Sequence, residues 1–204
     1  MSSNRYVTAG WASILSAACT LVMLGLTFVF DLTHITEGRR GFPPPPWPTD
    51  RAVLVAAVDA VAWALGIYAL IRFRDLLRER YRFHAVDYLI WIVIGAGLLV
   101  AIVSHAFNFT ATRDLGRALV SMATLGVLGV LNGVIGIVFA TRLLRVNGNL
   151  NGYKKPLIYT YVAGSICFLL VIPSLLGLVL LTVWSILLGL VFFRGEELEE
   201  LEVV

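Results

Sequence analysis

Asp59 sits in a run of apolar residues, Ala52 to Ile71, that holds no other charged group. A carboxylate at the centre of a bilayer-spanning helix costs about 2.5–3.5 kcal/mol on an insertion scale. Such a residue is a functional hypothesis by default. It can hold a proton or cation, contact a polar solute, or hydrogen-bond a neighbouring helix. Asn132 lies near the middle of another apolar run and is the expected partner. Asp59 and Asn132 therefore form the candidate intramembrane polar site.

A second group gathers where apolar runs end. His105 and Asn108 close the third run, and Asp31, His34 and Glu37 follow the first at i, i+3, i+6. That spacing places them on one face if the helix continues. Asp, His and Glu ligate metals, so Asp31, His34 and His105, with Asn108 beside them, make a candidate outer polar site. Interfacial polar residues are common at helix ends, and no metal or other cofactor is expected. Asn108-Phe109-Thr110 is a formal glycosylation sequon, but it stands too close to the bilayer for use to be expected.

Other chemistries have no support in the residues. Three histidines are too few for two bis-histidine haems, and the lysines Lys154 and Lys155 stand outside the apolar runs, where no retinal would reach. No HExxH, GxSxG, P-loop or G-x-G-x-x-G pattern occurs. Cys19 and Cys167 lie within apolar runs and make no CxxC motif, so they read as small hydrophobes.

The elements that position these residues follow from composition. The 204-residue chain is 59% hydrophobic and 14% charged, against about 25% charged in soluble domains. Its mean hydropathy is +0.86. A soluble domain, a disordered chain and a collagen-like repeat are excluded, and a single membrane domain remains. Nucleic-acid binding is not expected despite the net charge of +3, because the basic residues bracket apolar runs.

A spanning helix needs about 20 apolar residues. The runs predict an all-α bundle of about six spans at 8–30, 52–73, 87–108, 118–142, 157–172 and 176–193. The last two share one run, Pro156 to Phe193, which Pro173, Ser174 and Gly177 break into a hairpin. One kinked fifth helix is the alternative. The first run is too long for a signal peptide and is expected to stay as a helix. Residues 31–51 form a Pro-rich outer loop with Pro43-Pro44-Pro45-Pro46-Trp47-Pro48, a stiff polyproline segment that serves as spacer, lid or docking strip. Residues 194–204 form an acidic tail.

Orientation follows the positive-inside rule. Eleven of the 16 Lys and Arg fall on one side: Arg5, Arg72, Arg74, Arg78, Arg80, Arg82, Arg142, Arg145, Lys154, Lys155 and Arg194. Six spans then put both termini in the cytoplasm. Arg72 to His84 reads as a basic continuation of the second helix against anionic lipid.

Small residues mark packing faces. Gly126, Gly129, Gly133 and Gly136 stripe the fourth span, and Ala56, Ala60 and Ala64 the second. Ala9, Ser13 and Ala17 do the same in the first.

The start Arg5-Tyr6-Val7-Thr8-Ala9-Gly10 and the ending Val183-Trp184-Ser185-Ile186-Leu187-Leu188-Gly189-Leu190 resemble those of uncharacterised bacterial and archaeal six-helix membrane proteins. That resemblance implies a fold, without an activity; a multi-pass place in the plasma (inner) membrane of a prokaryote is the expected location. The alanine stripes and the Pro-rich loop also resemble the substrate-binding S-components of vitamin transporters, which implies an outward pocket and a membrane partner. The leading expectation is a non-enzymatic packing or scaffold subunit. Its partners are the lipid bilayer and either other membrane subunits or a second copy of the chain. The alternative is a small-solute transporter or binding subunit that uses Asp59.

Overall fold

The computed structural model describes residues 3–36, 49–110, 115–170 and 174–202. Six α-helices account for almost all of them: α1 (Ser3–Thr36), α2 (Thr49–Glu79), α3 (Asp87–Thr110), α4 (Leu115–Leu143), α5 (Lys154–Leu169) and α6 (Ser174–Glu202). A single 3-10 turn, Leu150–Gly152, precedes α5. Five of the helices are long and apolar enough to cross a membrane. The sixth, α5, has 16 residues, or roughly 24 Å at 1.5 Å per residue, short of a hydrocarbon core of about 30 Å.

Each helix packs on its neighbours in the chain, and α6 returns to α1, so the bundle closes into a ring. The contacts run antiparallel throughout. Along α1 and α2, Tyr6 meets Glu79, Ser16 meets Ala62 and Phe30 meets Arg51. Along α2 and α3, Arg78 meets Asp87 and Asp59 meets His105. Phe139 of α4 stacks edge-on against Tyr161 of α5, and Gly164 of α5 faces Gly177 of α6. Gly10 of α1 lies against Phe193 of α6.

Antiparallel order gathers the basic residues at one end of the ring. Arg72 and Arg74 flank Asp75, and each guanidinium also lies over an aromatic ring, Tyr68 and Trp91 respectively. Arg78 grips Asp87 at 2.8 Å across the α2–α3 turn, where the carboxylate also suits the positive end of α3. The segment between α4 and α5 turns sharply through Gly148 at φ +113° and Asn151 at φ +58°. It is pinned by the Asn151 amide donating to Val191 O and by Lys154 Nζ donating to Val146 O.

The apolar core lies beneath this end. Phe73, Leu76 and Leu77 of α2, Phe139 and Leu143 of α4, Leu150, and Leu188 and Phe192 of α6 are completely or almost completely buried. Outward positions carry large apolar side chains on every helix, among them Phe28, Val61, Ile102, Val127, Tyr159 and Leu175. A surface of this kind suits lipid rather than water.

Several boundaries differ from the expected ones. Residues 31–36 and 49–51 are helical, so Asp31 and His34 lie on α1 rather than in the outer loop. The Pro-rich segment 43–48 and Glu37 lie outside the described residues, as do the expected breaker Pro173 and residues 203–204. The acidic tail continues α6 as helix to Glu202. The basic stretch stays helical only to Glu79. The chain then turns, with Arg82 at φ +48° and Phe83 N donating to Leu77 O.

The packing stripes also divide. Added Cβ atoms on Gly133 and Gly136 would collide with Ser165 of α5, and one on Gly129 would just touch Phe168 O. One on Gly126 would meet nothing within 4 Å. On α2 the inward face is Ala52, Val55, Ala62, Ala69 and Leu70. Ala56 is half-buried, while Ala60 and Ala64 are exposed. That stripe therefore does not make the contacts of α2 within the chain. Side chains at i, i+3, i+7 from Ala52 lead down a different face of the helix.

Candidate solute site

Above the core the ring does not close on itself. An interior cavity of about 180 Å³ is lined by side chains from all six helices. Leu70, Ala69 and Leu188 form the end next to the core, and Met23, Asp59 and Leu178 lie toward the other end. Between them stand three aromatic side chains, Trp63, Tyr161 and Trp184, with Asn132. The Tyr161 and Trp184 rings are 4.9 Å apart. Trp63 packs its ring edge against Gly97 of α3, where no side chain would fit.

Asp59 is not bonded to Asn132. Its Oδ2 lies 2.8 Å from His105 Nε2, in a bond that ties α2 to α3. Both side chains are largely buried, at 14% and 23% exposed. Oδ1 makes no hydrogen bond to a described residue. Asn132 lines the same cavity from α4. The two candidate sites read from the sequence thus exchange a member, since His105 joins Asp59 rather than an outer group. The backbones of Asp31, His34 and Asn108 are helical, and their side chains lie outside the described ones. Among the described residues no three metal-ligating side chains cluster.

The serine and threonine hydroxyls that line the cavity are all committed as donors. Ser13 Oγ donates to Ser185 O at 2.7 Å, and Ser16 Oγ donates to Ala62 O at 2.8 Å. Thr20, Thr182 and Ser185 donate to carbonyls one turn back in their own helices. Each hydroxyl retains lone pairs, so these groups offer acceptors to the interior. The Trp184 indole is the opposite case. Its Nε1–H is buried and has no hydrogen-bond partner, which leaves a donor unsatisfied at a cost of about 1–3 kcal/mol. Among the described residues no Lys or Arg lines the cavity.

The sequence holds partial signs of this site. Ser13, Ser16 and Thr20 recur at i, i+3, i+7, as one inward stripe. Asp59 and His105 are nearly equidistant along the chain from Phe83 in the α2–α3 turn, so an antiparallel pair of helices brings them level. The aromatic walls carry no such mark, since Trp and Tyr in apolar runs fit core or interface equally.

No family model, no curated protein and no solved structure matches the chain. What this polytopic membrane bundle does therefore rests on the cavity and the residues that line it.

Proposed function

We propose that the protein is a small-solute transporter or substrate-binding membrane subunit whose site is the interior cavity beside Asp59. The observation that carries this is a mostly apolar, aromatic-walled space with a few polar groups, reached by all six helices, with a carboxylate–imidazole pair at one end of it. A packing element has no need of such a space, because each unfilled volume loses dispersion contacts. The basic end of the ring is taken as cytoplasmic by the positive-inside rule, which puts both termini inside and the Asp59 end of the cavity outward. The packed core beneath Leu70 and Leu188 closes the cytoplasmic side. A prokaryotic inner membrane is the location this reading adopts.

The test is thiol access. A Ser185→Cys variant, with Cys19 and Cys167 changed to Ser, is treated in membranes with methyl methanethiosulfonate. Val183→Cys, which faces outward, is the control. A solute cavity gives labelling at 185 and not at 183. Equal inertness at both positions would refute the reading.

A packing or scaffold role is favoured by one observation: Ala60 and Ala64 expose a small-residue stripe on α2 that no described residue buries. A second membrane helix fits such a face closely. Cross-linking at Ala60→Cys in native membranes tests it. A defined heterologous partner would support the role, and an uncross-linked chain would count against it.

A further inference from the structure

The cavity has a polarity, and the polarity selects its occupant. At one end, the Asp59 carboxylate gives one oxygen to His105 and keeps the other unbonded among the described residues. No described Lys or Arg lines the space. The His105 bond occupies Oδ2 alone, so Oδ1 stays open as an acceptor for the N–H of an entering cation. A buried charge calls for a counter-charge, since its desolvation is otherwise severe. An anion entering the same space would meet the Asp59 carboxylate and no described Lys or Arg.

Further down stands the orphaned Trp184 indole N–H. The Trp184 residue is 6% exposed, and Nε1 has no partner. A buried donor of this kind calls for an acceptor from outside the chain. Ser16 is level with Ala62 on α2, and Ser13 is level with Ser185 on α6. Trp184 therefore stands about five residues below Asp59, or roughly 8 Å along the bundle axis. Trp63 and Tyr161 stand in the same walls. Aromatic faces hold both planar apolar bodies and cations.

We propose that the cavity binds an aryl-alkyl ammonium: a protonated amine held against Asp59, a flat apolar body between the aromatic walls, and a hydrogen-bond acceptor at the far end that takes the Trp184 N–H. This rests on the reading of the cavity as a solute site. Asp59 is the counter-ion, and Trp184 sets the specificity for the acceptor.

Three probes of matched size separate these elements: tyramine (amine and phenol oxygen), phenethylamine (amine, no acceptor) and 3-phenylpropionate (anion). Each is tested for protection of the Ser185→Cys thiol from methyl methanethiosulfonate. Tyramine is expected to protect at concentrations at least fivefold lower than phenethylamine, and phenylpropionate not at all. Trp184→Phe should erase the difference between the two amines. Asp59→Asn should weaken both amines at least tenfold. If the thiol is labelled but the anion protects as well as the amines, or none of the three protects, the cation assignment is overturned and the solute reading stands. A thiol that is never labelled overturns the solute reading itself. Equal retention of the thermal transition in both variants excludes misfolding as the cause of lost protection.

Discussion

His105 Nε2 and Asp59 Oδ2 are 2.8 Å apart, which joins α2 to the C-terminal part of α3 beside the cavity. The bond links two helices that also meet through Arg78–Asp87 and Arg74 over Trp91 at the opposite end and through Trp63 on Gly97. Interhelical hydrogen bonds in membranes average about 0.6 kcal/mol, with a maximum of about 1.7. A double-mutant cycle on Asp59→Ala and His105→Ala should therefore give a coupling of about 1 kcal/mol in reversible denaturant unfolding. A coupling indistinguishable from zero would show that the two side chains do not interact.

The α4–α5 seam predicts a contrast between glycines of one stripe. A Cβ on Gly136 would overlap Ser165 Oγ, and one on Gly133 would lie 2.7 Å from Ser165 O. Overpacking costs about 1–3 kcal/mol. Gly133→Ala and Gly136→Ala should lower stability by that amount in thermal unfolding. Gly126→Ala meets open space and should be neutral, or stabilising by up to about 1 kcal/mol through helix propensity. Three equal effects would contradict the seam.

The turn before α5 depends on Gly148. Its φ is +113°, and an added Cβ would meet Tyr81 Cε1 at 2.8 Å. Gly148→Ala should cost more than Gly152→Ala, where φ is +90° but the nearest atom is 3.5 Å away at the flexible end of Arg194. The expected difference is about 1 kcal/mol or more, from the clash added to the backbone strain. Similar losses at the two positions would remove Tyr81 from the account.

Tyr81 also gives this turn a pH dependence. Burial pushes its hydroxyl above the ordinary value of 10.0, while Arg80 opposes the shift more weakly. A folded-state value above the unfolded one means the neutral phenol is favoured in the folded protein. That contribution is fully present below about pH 10 and is lost as pH rises through the folded value. Stability of the wild type should therefore fall above pH 10 more steeply than that of Tyr81→Phe. Parallel pH profiles would contradict it.

The long apolar helices were legible in the sequence because charge-free runs of membrane length have few other uses. Asp59 stood out for the same reason. Its partner was harder to read. Depth in the membrane pairs Asp59 with His105 only once α2 and α3 are treated as an antiparallel hairpin turning near Phe83, and helix-end position alone grouped His105 with Asp31 and His34. The α2 alanines misled as a packing face inside the chain. Small-residue spacing marks a stripe but not which side of the helix meets a neighbour, and the larger Val55 and Leu70 share the buried face. Trp184 was invisible as a site residue, because an indole in an apolar run declares nothing about whether its N–H finds a partner.

Charge selection inside the cavity tests the central claim most directly. The Ser185→Cys thiol is labelled with 2-aminoethyl and with 2-sulfonatoethyl methanethiosulfonate, and the ratio of rates is normalised to that of a free thiol. Ser185 stands about six residues, or roughly 9 Å, below the level of Asp59, and a unit negative charge that far away in a medium of intermediate polarity is worth about 2 kcal/mol to a cation. The normalised ratio should exceed about tenfold with Asp59 and fall close to one in Asp59→Asn. A ratio near one in the presence of Asp59, or a large ratio that Asp59→Asn leaves unchanged, would contradict the account.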